Sequence, residues 1–282
     1  MKVAVSGATG FIGRHVVAAL ERAGIEATLW VRPSSPPSTS RHRVARIDVA
    51  DPPAQPFEML GRPDVLIHLA WGGLPNYPSL HHFERELPAH YALLKRLVEQ
   101  GLSTLVVAGT CFEYGMQSGP LVETLAAAPA NPYALAKDML RRQLQELQRE
   151  RPFALTWARL FYLYGEGQAD TALWSQLRRA VESGAATFAM SGGEQLRDYL
   201  PVELAADHLV ALALRRREHG VVNVCSGQPV SVRSLVEGWL AANAWAIGLD
   251  LGRYPYPAHE PMAFWGDDTK LRRCLARPPL TQ

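Results

Sequence analysis

Tyr133 and Lys137 stand four positions apart, in a segment whose apolar residues recur at helical spacing. This spacing predicts a helix over 132–149 with the phenol and the ammonium group on one face. A nearby positive charge favours phenolate, so the pKa of Tyr133 is expected to fall toward the range where it can exchange a proton with a carbonyl or alcohol oxygen. Thr110 follows a predicted strand and could hydrogen-bond the same oxygen. We predict that these three residues are catalytic.

A second chemical motif is the glycine pattern that follows the first predicted strand and opens the first predicted helix. One glycine makes the tight turn, a second lets the backbone approach a pyrophosphate, and a third allows close packing of helix on strand. The unpaired N–H groups of the helix N-terminus favour an anion. A glycine triplet alone is more often a turn, but this position predicts a dinucleotide site. The expected contacts are Gly7, Thr9, Gly10, Phe11, Ile12 and Gly13.

The end of the second predicted strand bears on which dinucleotide binds. An acidic side chain there would bond a ribose 2′-hydroxyl, whereas arginine accommodates a 2′-phosphate. The residue is Arg32, so the sequence favours NADP over NAD, unless Arg32 is only an exposed loop residue. Arg41 or Arg43 could add positive charge near that phosphate.

Strands that alternate with helices must position these residues. Each predicted strand up to about residue 160 is a continuous apolar run, which is typical of a parallel sheet covered on both faces. The fold class expected is therefore α/β, a doubly wound parallel sheet (Rossmann), with a smaller, partly interleaved C-terminal substrate domain. We expect a dinucleotide-binding domain over 1–162, joined by about 198–226, and a substrate-binding region over 163–282.

Composition excludes several classes of partner. The chain has 29 Lys and Arg against 27 Asp and Glu, a net charge of +2, which gives no electrostatic reason for a nucleic-acid or membrane partner. Its three cysteines are widely spaced and have no histidine at ligand spacing, so neither a metal nor a disulfide is expected. No apolar run reaches membrane-spanning length and no secretory signal precedes the first strand, which leads us to expect a cytoplasmic protein.

These motifs, in this order, resemble the extended short-chain dehydrogenases/reductases of the nucleotide-sugar epimerase/dehydratase type. The resemblance covers nearly the whole chain and implies an NAD(P)-dependent enzyme, a nucleotide-sugar substrate and a homodimer. It rests on GATGFIG at 7–13, HLA at 68–70, Thr110 ahead of Tyr114 and Gly115, YxxxK at 133–137, RLFYLYG at 159–165, RDY at 197–199 and NVCSG at 223–227.

The resemblance also implies roles for further residues. Thr110, Tyr133 and Lys137 correspond to the catalytic set of the family, with Lys137 also holding the cofactor ribose, and Arg197 to an arginine that reaches the diphosphate of the substrate. The additional cofactor-binding residues that it implies are Asp48, Val49, Leu69 and Ala70. The substrate-binding residues are Trp71, Cys111, Phe112, Tyr162 and Arg197.

Departures from the family pattern narrow the activity. Dehydratases of the family place Asp-Glu after the catalytic threonine, but this chain has Cys111 and Phe112, so dehydration is not expected. Tyr162 and Glu86 stand where asparagine is common. The chain looks most like NADPH-dependent reductases of dTDP-linked 4-keto-6-deoxy sugars. Two alternatives stay open: an NAD-dependent nucleotide-sugar 4-epimerase, and a non-catalytic cofactor-binding regulatory protein.

Overall fold

Strands and helices alternate along the computed structural model of this chain, which describes residues 1–35, 41–256 and 260–276. Within these ranges the strands are β1 (Val3–Ser6), β2 (Ala27–Val31), β3 (Arg43–Arg46), β4 (Val65–His68), β5 (Thr104–Thr110), β6 (Gly119–Leu121), β7 (Ala154–Leu160), β8 (Tyr162–Tyr164), β9 (Thr187–Ala189), β10 (Leu196–Arg197), β11 (Tyr199–Pro201), β12 (Gly220–Val224), β13 (Val230–Ser231), β14 (Gly248–Asp250) and β15 (Phe264–Gly266). The helices are α1 (Phe11–Arg22), α2 (Pro56–Met59), α3 (Leu87–Glu99), α4 (Pro132–Glu150), α5 (Leu173–Glu182), α6 (Val202–Leu214), α7 (Val232–Ala242) and α8 (Thr269–Ala276).

The main sheet of the described chain has seven parallel strands in the order β12-β7-β5-β4-β1-β2-β3. The chain runs outward from β1 through β2 to β3, then returns to β4 and builds the other half. The order in which strands are added therefore reverses between β1 and β4. In such sheets ligands bind beyond the carboxyl ends of the strands at this switch point. The predicted fold class, a doubly wound parallel α/β sheet, is confirmed.

Alternate residues of each strand feed two separate apolar cores, one on each face of the sheet. In β1, Val3 and Val5 join the core beneath α1 and α6, whereas Ala4 joins the core beneath α3 and α4. Because both faces are covered, the strands are apolar along their whole length rather than at every second position. This buries the first three residues of β1 to 2% exposure or less and fixes the strand end that carries the glycine loop.

A smaller cluster lies in the C-terminal part of the chain. Leu177 of α5, Phe188 of β9 and Val236 of α7 form its centre, and β9 pairs with β14. The chain returns from this region to the main sheet, because β12 pairs with β7 and α6 packs on α1. The proposed domain boundaries stay a prediction. A bilayer crossing needs a long, apolar helix, and the described part of the chain contains none.

Candidate active site

The glycine loop at the carboxyl end of β1 has no room for side chains. Gly7 has a φ of +67°, and a Cβ there would lie 2.9 Å from the backbone nitrogen of Ala70. A Cβ on Gly13 would lie 2.0 Å from the carbonyl oxygen of Gly7. The loop is thus packed against itself and against the chain after β4, and it leads directly into the N-terminus of α1 at Gly10. This is the backbone cradle that a dinucleotide pyrophosphate requires, so the residues present fit the expected cofactor.

A cleft of about 810 Å³ opens over this loop. Its walls include most of the residues for which we predict cofactor contacts: Gly7, Thr9, Gly10, Arg32, Asp48, Val49, Leu69 and Ala70. Phe11, Ile12 and Gly13 form the first turn of α1, where Phe11 and Ile12 pack against the core and Gly13 is buried. The loop after Asp48 is held by a hydrogen bond from the backbone N–H of Ala50 to its carboxylate, at 2.9 Å. The individual contacts with a cofactor stay predictions.

Positive charge collects where β2 ends in this cleft. Arg32 is exposed there, and Arg46 at the end of β3 donates to the carbonyl oxygens of Pro33 and Ser35, at 3.0 and 2.6 Å. Arg46 thereby fixes the turn that carries Arg32, a role that the sequence analysis missed. The expectation that Arg41 or Arg43 adds positive charge here is wrong. Arg43 begins β3 and so lies at the amino ends of the strands, away from the cleft, and Arg41 pairs with Glu21.

The three predicted catalytic residues converge at the carboxyl end of β5 and the first turns of α4. The side chain of Asn131 caps α4 by accepting from the N–H of Ala134, which starts the helix just before Tyr133. Thr110, the last residue of β5, hydrogen-bonds the phenol of Tyr133. Lys137 lies one helical turn further, with Nζ 4.2 Å from the ring centroid of Trp71. Tyr133 meets the same Trp71 ring edge-on at 6.2 Å, so Trp71 bridges the two.

Burial dominates the acid–base behaviour of this set. It raises the pKa of Tyr133, as do the neighbouring Tyr77 and Glu113, while the hydrogen bond from Thr110 acts in the opposite direction. Burial also lowers the pKa of Lys137 to about 8, against the attraction of Glu113 and Glu86. The expected fall in the pKa of Tyr133 is therefore not found in the protein alone, where burial has the largest effect on this pKa. At neutral pH Tyr133 is a protonated phenol, which is the form that donates a proton.

Glu113, which the sequence analysis did not select, supports this site from below. It is fully buried and its carboxylate pairs with Arg159 at 2.8 Å, and it also accepts from the indole N–H of Trp157 at 2.9 Å. The same carboxylate accepts the backbone N–H of Thr110 at 2.9 Å. Thr110 is therefore fixed at both ends, because its own hydroxyl accepts from the backbone N–H of Phe112 at 3.2 Å. Glu113 therefore has a structural role, because both of its carboxylate oxygens already accept hydrogen bonds and neither is free for acid–base chemistry.

A second cavity, of about 320 Å³, lies toward the C-terminal cluster. Neighbouring rings extend from Tyr133 toward it in an aromatic row: Tyr133, Tyr77, Phe112, Tyr162 and Tyr199, with successive centroids 5.5, 5.2, 6.1 and 5.2 Å apart. Tyr162, Tyr199 and Arg197 line the cavity itself. The structure thus joins the catalytic set to a pocket with an apolar, aromatic approach. Tyr77 is a member of this row that the sequence analysis missed.

The structure distributes the predicted substrate-binding residues differently. Trp71 lines the larger cleft beside Lys137, and its assignment to the substrate stays a prediction. Cys111 is 5% exposed in a small apolar cluster, and its thiol has a raised pKa because of burial. Phe112 is part of the aromatic row, Tyr162 and Arg197 line the second cavity, and their contacts with a substrate stay predictions.

Arg197 is 3% exposed and faces a carboxylate in the second cavity. Its Nη2 lies 2.9 Å from Oε2 of Glu260, and its guanidinium carbon lies 4.6 Å from the ring centroid of Phe264. Arg197 therefore has a carboxylate partner in the cavity, which the sequence analysis did not foresee. In the described residues no group of three His, Cys, Asp or Glu side chains is arranged to hold a metal ion.

A glycine cradle at the switch point of a parallel sheet, followed by a tyrosine and a lysine at the end of the same cleft, defines a dinucleotide-dependent enzyme. The chain matches the model of the NAD dependent epimerase/dehydratase family over residues 3–225, and it belongs to that family.

The relatives with assigned activities include both dehydrogenases and epimerases of nucleotide sugars. The chain is 28% identical over 270 residues to dTDP-6-deoxy-L-talose 4-dehydrogenase (NAD(+)) of Aggregatibacter actinomycetemcomitans, covering 94% of this chain and 99% of that one. It is 27% identical over 266 residues to UDP-glucose 4-epimerase of Azospirillum brasilense, covering 83% and 75%. Among solved structures it is similar to MoeE5 in complex with UDP-glucuronic acid and NAD, with a TM-score of 0.82, 26% identity and coverage of 100% and 95%.

Proposed function

We propose that the protein is an NADPH-dependent reductase of a nucleotide-linked 4-keto-6-deoxy sugar, with a dTDP-sugar favoured. The observation that carries this proposal is the buried, protonated Tyr133, held by Thr110 where the cofactor cleft meets the aromatic row. A reduction needs a proton donor at this point, and burial keeps the phenol in its donating form. The relative named a dTDP-6-deoxy-L-talose 4-dehydrogenase supports the same chemistry, since a dehydrogenase and a reductase catalyse one reaction in opposite directions.

The residues that would hold the cofactor are those of the glycine cradle and the cleft above it. Arg32, with Arg46 behind it, places positive charge at the end of β2 and favours a 2′-phosphate over a bare ribose hydroxyl. When bound, NADPH supplies the hydride that reduces the keto carbon. Lys137, buried at the same end of the cleft, is positioned to hold the ribose and to keep positive charge beside Tyr133.

The proton then has a defined source. Reduction at C4 of the sugar would leave negative charge on O4, and Tyr133 would donate its phenolic proton to that oxygen. Thr110 hydrogen-bonds the phenol and fixes its direction. The sugar then carries a C4 alcohol, and the tyrosinate left behind regains its proton from solvent. Lys137 stabilises that tyrosinate electrostatically.

The aromatic row is consistent with a sugar that carries a methyl group at C6. Phe112 and Tyr77 present ring faces and edges rather than charges next to Tyr133. Such a wall favours a deoxy sugar, whose apolar edge packs on aromatic rings, over a C6 carboxylate that would lose its hydration. Water elimination is not supported, because Cys111 and Phe112 provide neither acid nor base and Glu113 is held by Arg159.

The test is turnover of dTDP-, GDP- and UDP-linked 4-keto-6-deoxy sugars with NADPH or NADH, measured as loss of reduced-cofactor absorbance. We expect Tyr133→Phe to lower kcat by a factor on the order of 10²–10⁴, the contribution of a general acid. Tyr114→Phe is the matched control: Tyr114 is also a buried tyrosine, but its hydroxyl donates to Asn223 away from the cleft. A Tyr133→Phe variant that keeps most of the turnover would disprove the acid role.

A nucleotide-sugar 4-epimerase is the second candidate, and it is supported by the 27% identity to a UDP-glucose 4-epimerase. An epimerase must take a hydride from the sugar and return it, so it retains NAD. Denaturing the purified protein and measuring released NAD separates the two candidates. Stoichiometric NAD without added cofactor would favour the epimerase, whereas NADPH binding without turnover of any keto sugar would favour the non-catalytic alternative.

A further inference from the structure

A buried chain of hydrogen bonds runs beneath the cofactor cleft from β1 to α3. The hydroxyl of Ser6 lies 2.8 Å from Nδ1 of His68, and Nε2 of His68 lies 2.8 Å from Nδ1 of His90. Nε2 of His90 lies 3.1 Å from a carboxylate oxygen of Glu86. Both histidines are 1% exposed and Ser6 is fully buried. None of these residues takes part in the reaction proposed above.

The direction of every hydrogen bond in this chain follows from its first member. The oxygen of Ser6 accepts the backbone N–H groups of Leu69 and Ala70, at 3.1 and 3.2 Å, so its own proton must go to Nδ1 of His68. His68 then carries its proton on Nε2 and donates to His90, and His90 in turn donates from Nε2 to Glu86. Both histidines are neutral, since burial lowers the pKa of each, and Glu86 is an anion with a pKa lowered to about 2.

The outer end of the chain holds the ring of Trp71. Glu86 accepts the backbone N–H of Gly72 at 2.6 Å, which fixes the chain immediately after Trp71. The indole ring stacks on the ring of His90, with centroids 4.7 Å apart and planes 16° apart. Its N–H donates to Nδ1 of His82 at 3.1 Å. The ring is thus held by a stacking partner, a hydrogen bond and a pinned neighbouring backbone.

Trp71 in turn provides the surface on which Lys137 rests. An ammonium group 4.2 Å from the centroid of an indole ring is attracted by its π face, and a buried cation has few other favourable neighbours. No hydrogen bond from Nζ of Lys137 to another protein group occurs within the described residues. Nζ of Lys137 also lies 5.7 Å from the ring centroid of Trp157, so Trp71 is the nearer of its two aromatic neighbours. The place of Lys137 therefore depends in part on where the Trp71 ring is held.

We propose that Glu86 and His90 are positioning residues of the reaction, which through the ring of Trp71 fix the ammonium group of Lys137 beside Tyr133. This inference rests on the proposed function, in which Lys137 and Tyr133 carry the proton chemistry. It assigns a purpose to Glu86, which the sequence analysis noted only as a departure from the family resemblance.

The charges around Lys137 determine in which direction its pKa should change when Glu86 is replaced. Glu113, beneath Thr110, and Glu86, at the start of α3, are the carboxylates that raise its pKa, while burial lowers it. His68 and His90 face it as neutral rings, and Tyr133 on its own helix is a neutral phenol. Replacing Glu86 by glutamine removes one of two stabilising anions and loosens Trp71. Lys137 should then lose its proton at a lower pH.

The direct readout is the titration of Lys137 in protein labelled with ¹⁵N at the lysine ζ positions. The chain has only four lysines, Lys2, Lys95, Lys137 and Lys270, so a Lys137→Met variant assigns the signal. We expect Glu86→Gln to lower the titration midpoint by about half a unit or more. Glu84→Gln is the matched control, because it removes the same charge two positions away on an exposed side chain and should leave the midpoint unchanged.

Steady-state kinetics give the second readout. Glu86→Gln and His90→Phe should each lower kcat by about tenfold with the KM for the keto sugar unchanged, as displacement of a catalytic group requires. His90→Phe keeps a ring against Trp71 and removes the hydrogen bonds of His90 to Glu86 and His68, so it carries the test if Glu86→Gln fails to fold.

An unchanged Lys137 midpoint together with unchanged kcat, or a loss of thermal stability alone, would overturn the inference. The NMR titration needs neither substrate nor cofactor. If no keto sugar is reduced but Glu86→Gln still shifts Lys137, the coupling stands and the proposed function is what fails.

Discussion

The buried pair of Glu113 and Arg159 provides the sharpest test of how this site is built. Its two side chains are 0% and 2% exposed, and the carboxylate lies 2.8 Å from Nε of Arg159. We consider Glu113→Gln, which keeps the shape of the side chain and removes its charge. Arg159 then remains as a buried cation without a counterion, while Trp157 and the N–H of Thr110 compete for one remaining oxygen.

The expected loss of stability follows from these contacts. Two unit charges at this separation attract by ~6 kcal/mol at an effective dielectric constant of about 20. Some of this is recovered because the amide oxygen still accepts one hydrogen bond. We therefore expect the free energy of unfolding to fall by about 3–5 kcal/mol, the usual cost of breaking a buried pair from one side. That is a large share of the total of roughly 5–15 kcal/mol that is typical of folded domains.

Urea unfolding followed by tryptophan fluorescence measures this change, and the midpoint should move by about 1 M or more. The control is Glu146→Gln, which breaks an ion pair of nearly equal length, 2.7 Å, between side chains that are 77% and 68% exposed. We expect less than about 0.5 kcal/mol there, because water screens the pair. A double variant, Glu113→Gln with Arg159→Met, should lose less than Glu113→Gln alone. Equal losses at Glu113 and Glu146 would refute the reasoning.

Two further predictions concern the cofactor cleft. Gly13→Ala places a Cβ 2.0 Å from the carbonyl oxygen of Gly7, so it should abolish dinucleotide binding and destabilise the protein by at least ~1–3 kcal/mol. The control is Gly238→Ala in the interior of α7, where a Cβ meets no atom within 4 Å and should stabilise the protein by about 0.5–1 kcal/mol. Calorimetry measures the binding and unfolding curves the stability, and a Gly13→Ala protein that binds cofactor normally would contradict the proposed role of the glycine loop. Arg32→Ala should raise the KM for NADPH about 10–100-fold, the loss of one charge-assisted contact, and leave the KM for NADH within about twofold. The control is Arg41→Ala, which lies before the amino end of β3 and pairs with Glu21, and it should change neither KM. An equal effect of Arg32→Ala on both cofactors would show that Arg32 does not contact the 2′-phosphate.

Features whose spacing is set by local geometry were predictable from the sequence. The strand, glycine turn and helix at the start of the chain, and the tyrosine and lysine one helical turn apart, lie within single elements, so their relative positions follow from the periods of strand and helix. The alternation of apolar runs and helical segments predicted the parallel sheet for the same reason, and the return of the chain at β12 was anticipated from a short apolar run between two helices.

Features that depend on contacts between distant elements could not be predicted in this way. Glu113 and Arg159 are 46 positions apart, and Ser6 and His68 are 62 apart, so no spacing rule joins them. The register of β2 and β3 places Arg46 beside Val31, at the carboxyl ends of the strands, and Arg43 beside Thr28, toward their amino ends. Trp71 was expected to bind the substrate because of the family resemblance, but only the folded loop shows that its ring lies against Lys137.

The return of the chain to β12 has a consequence for how this protein is made. The edge of β7 and the apolar face of α1 are covered by β12 and α6, which come from residues 202–224, long after the first strand has left the ribosome. A nascent chain that ends near residue 162 carries the glycine loop and the catalytic tyrosine, yet it exposes an unpaired strand and half of a core. Such intermediates are prone to aggregate, and long-range pairing is slow. Stable folding of the active-site segments must therefore wait until β12 has been translated, although those segments themselves are translated earlier.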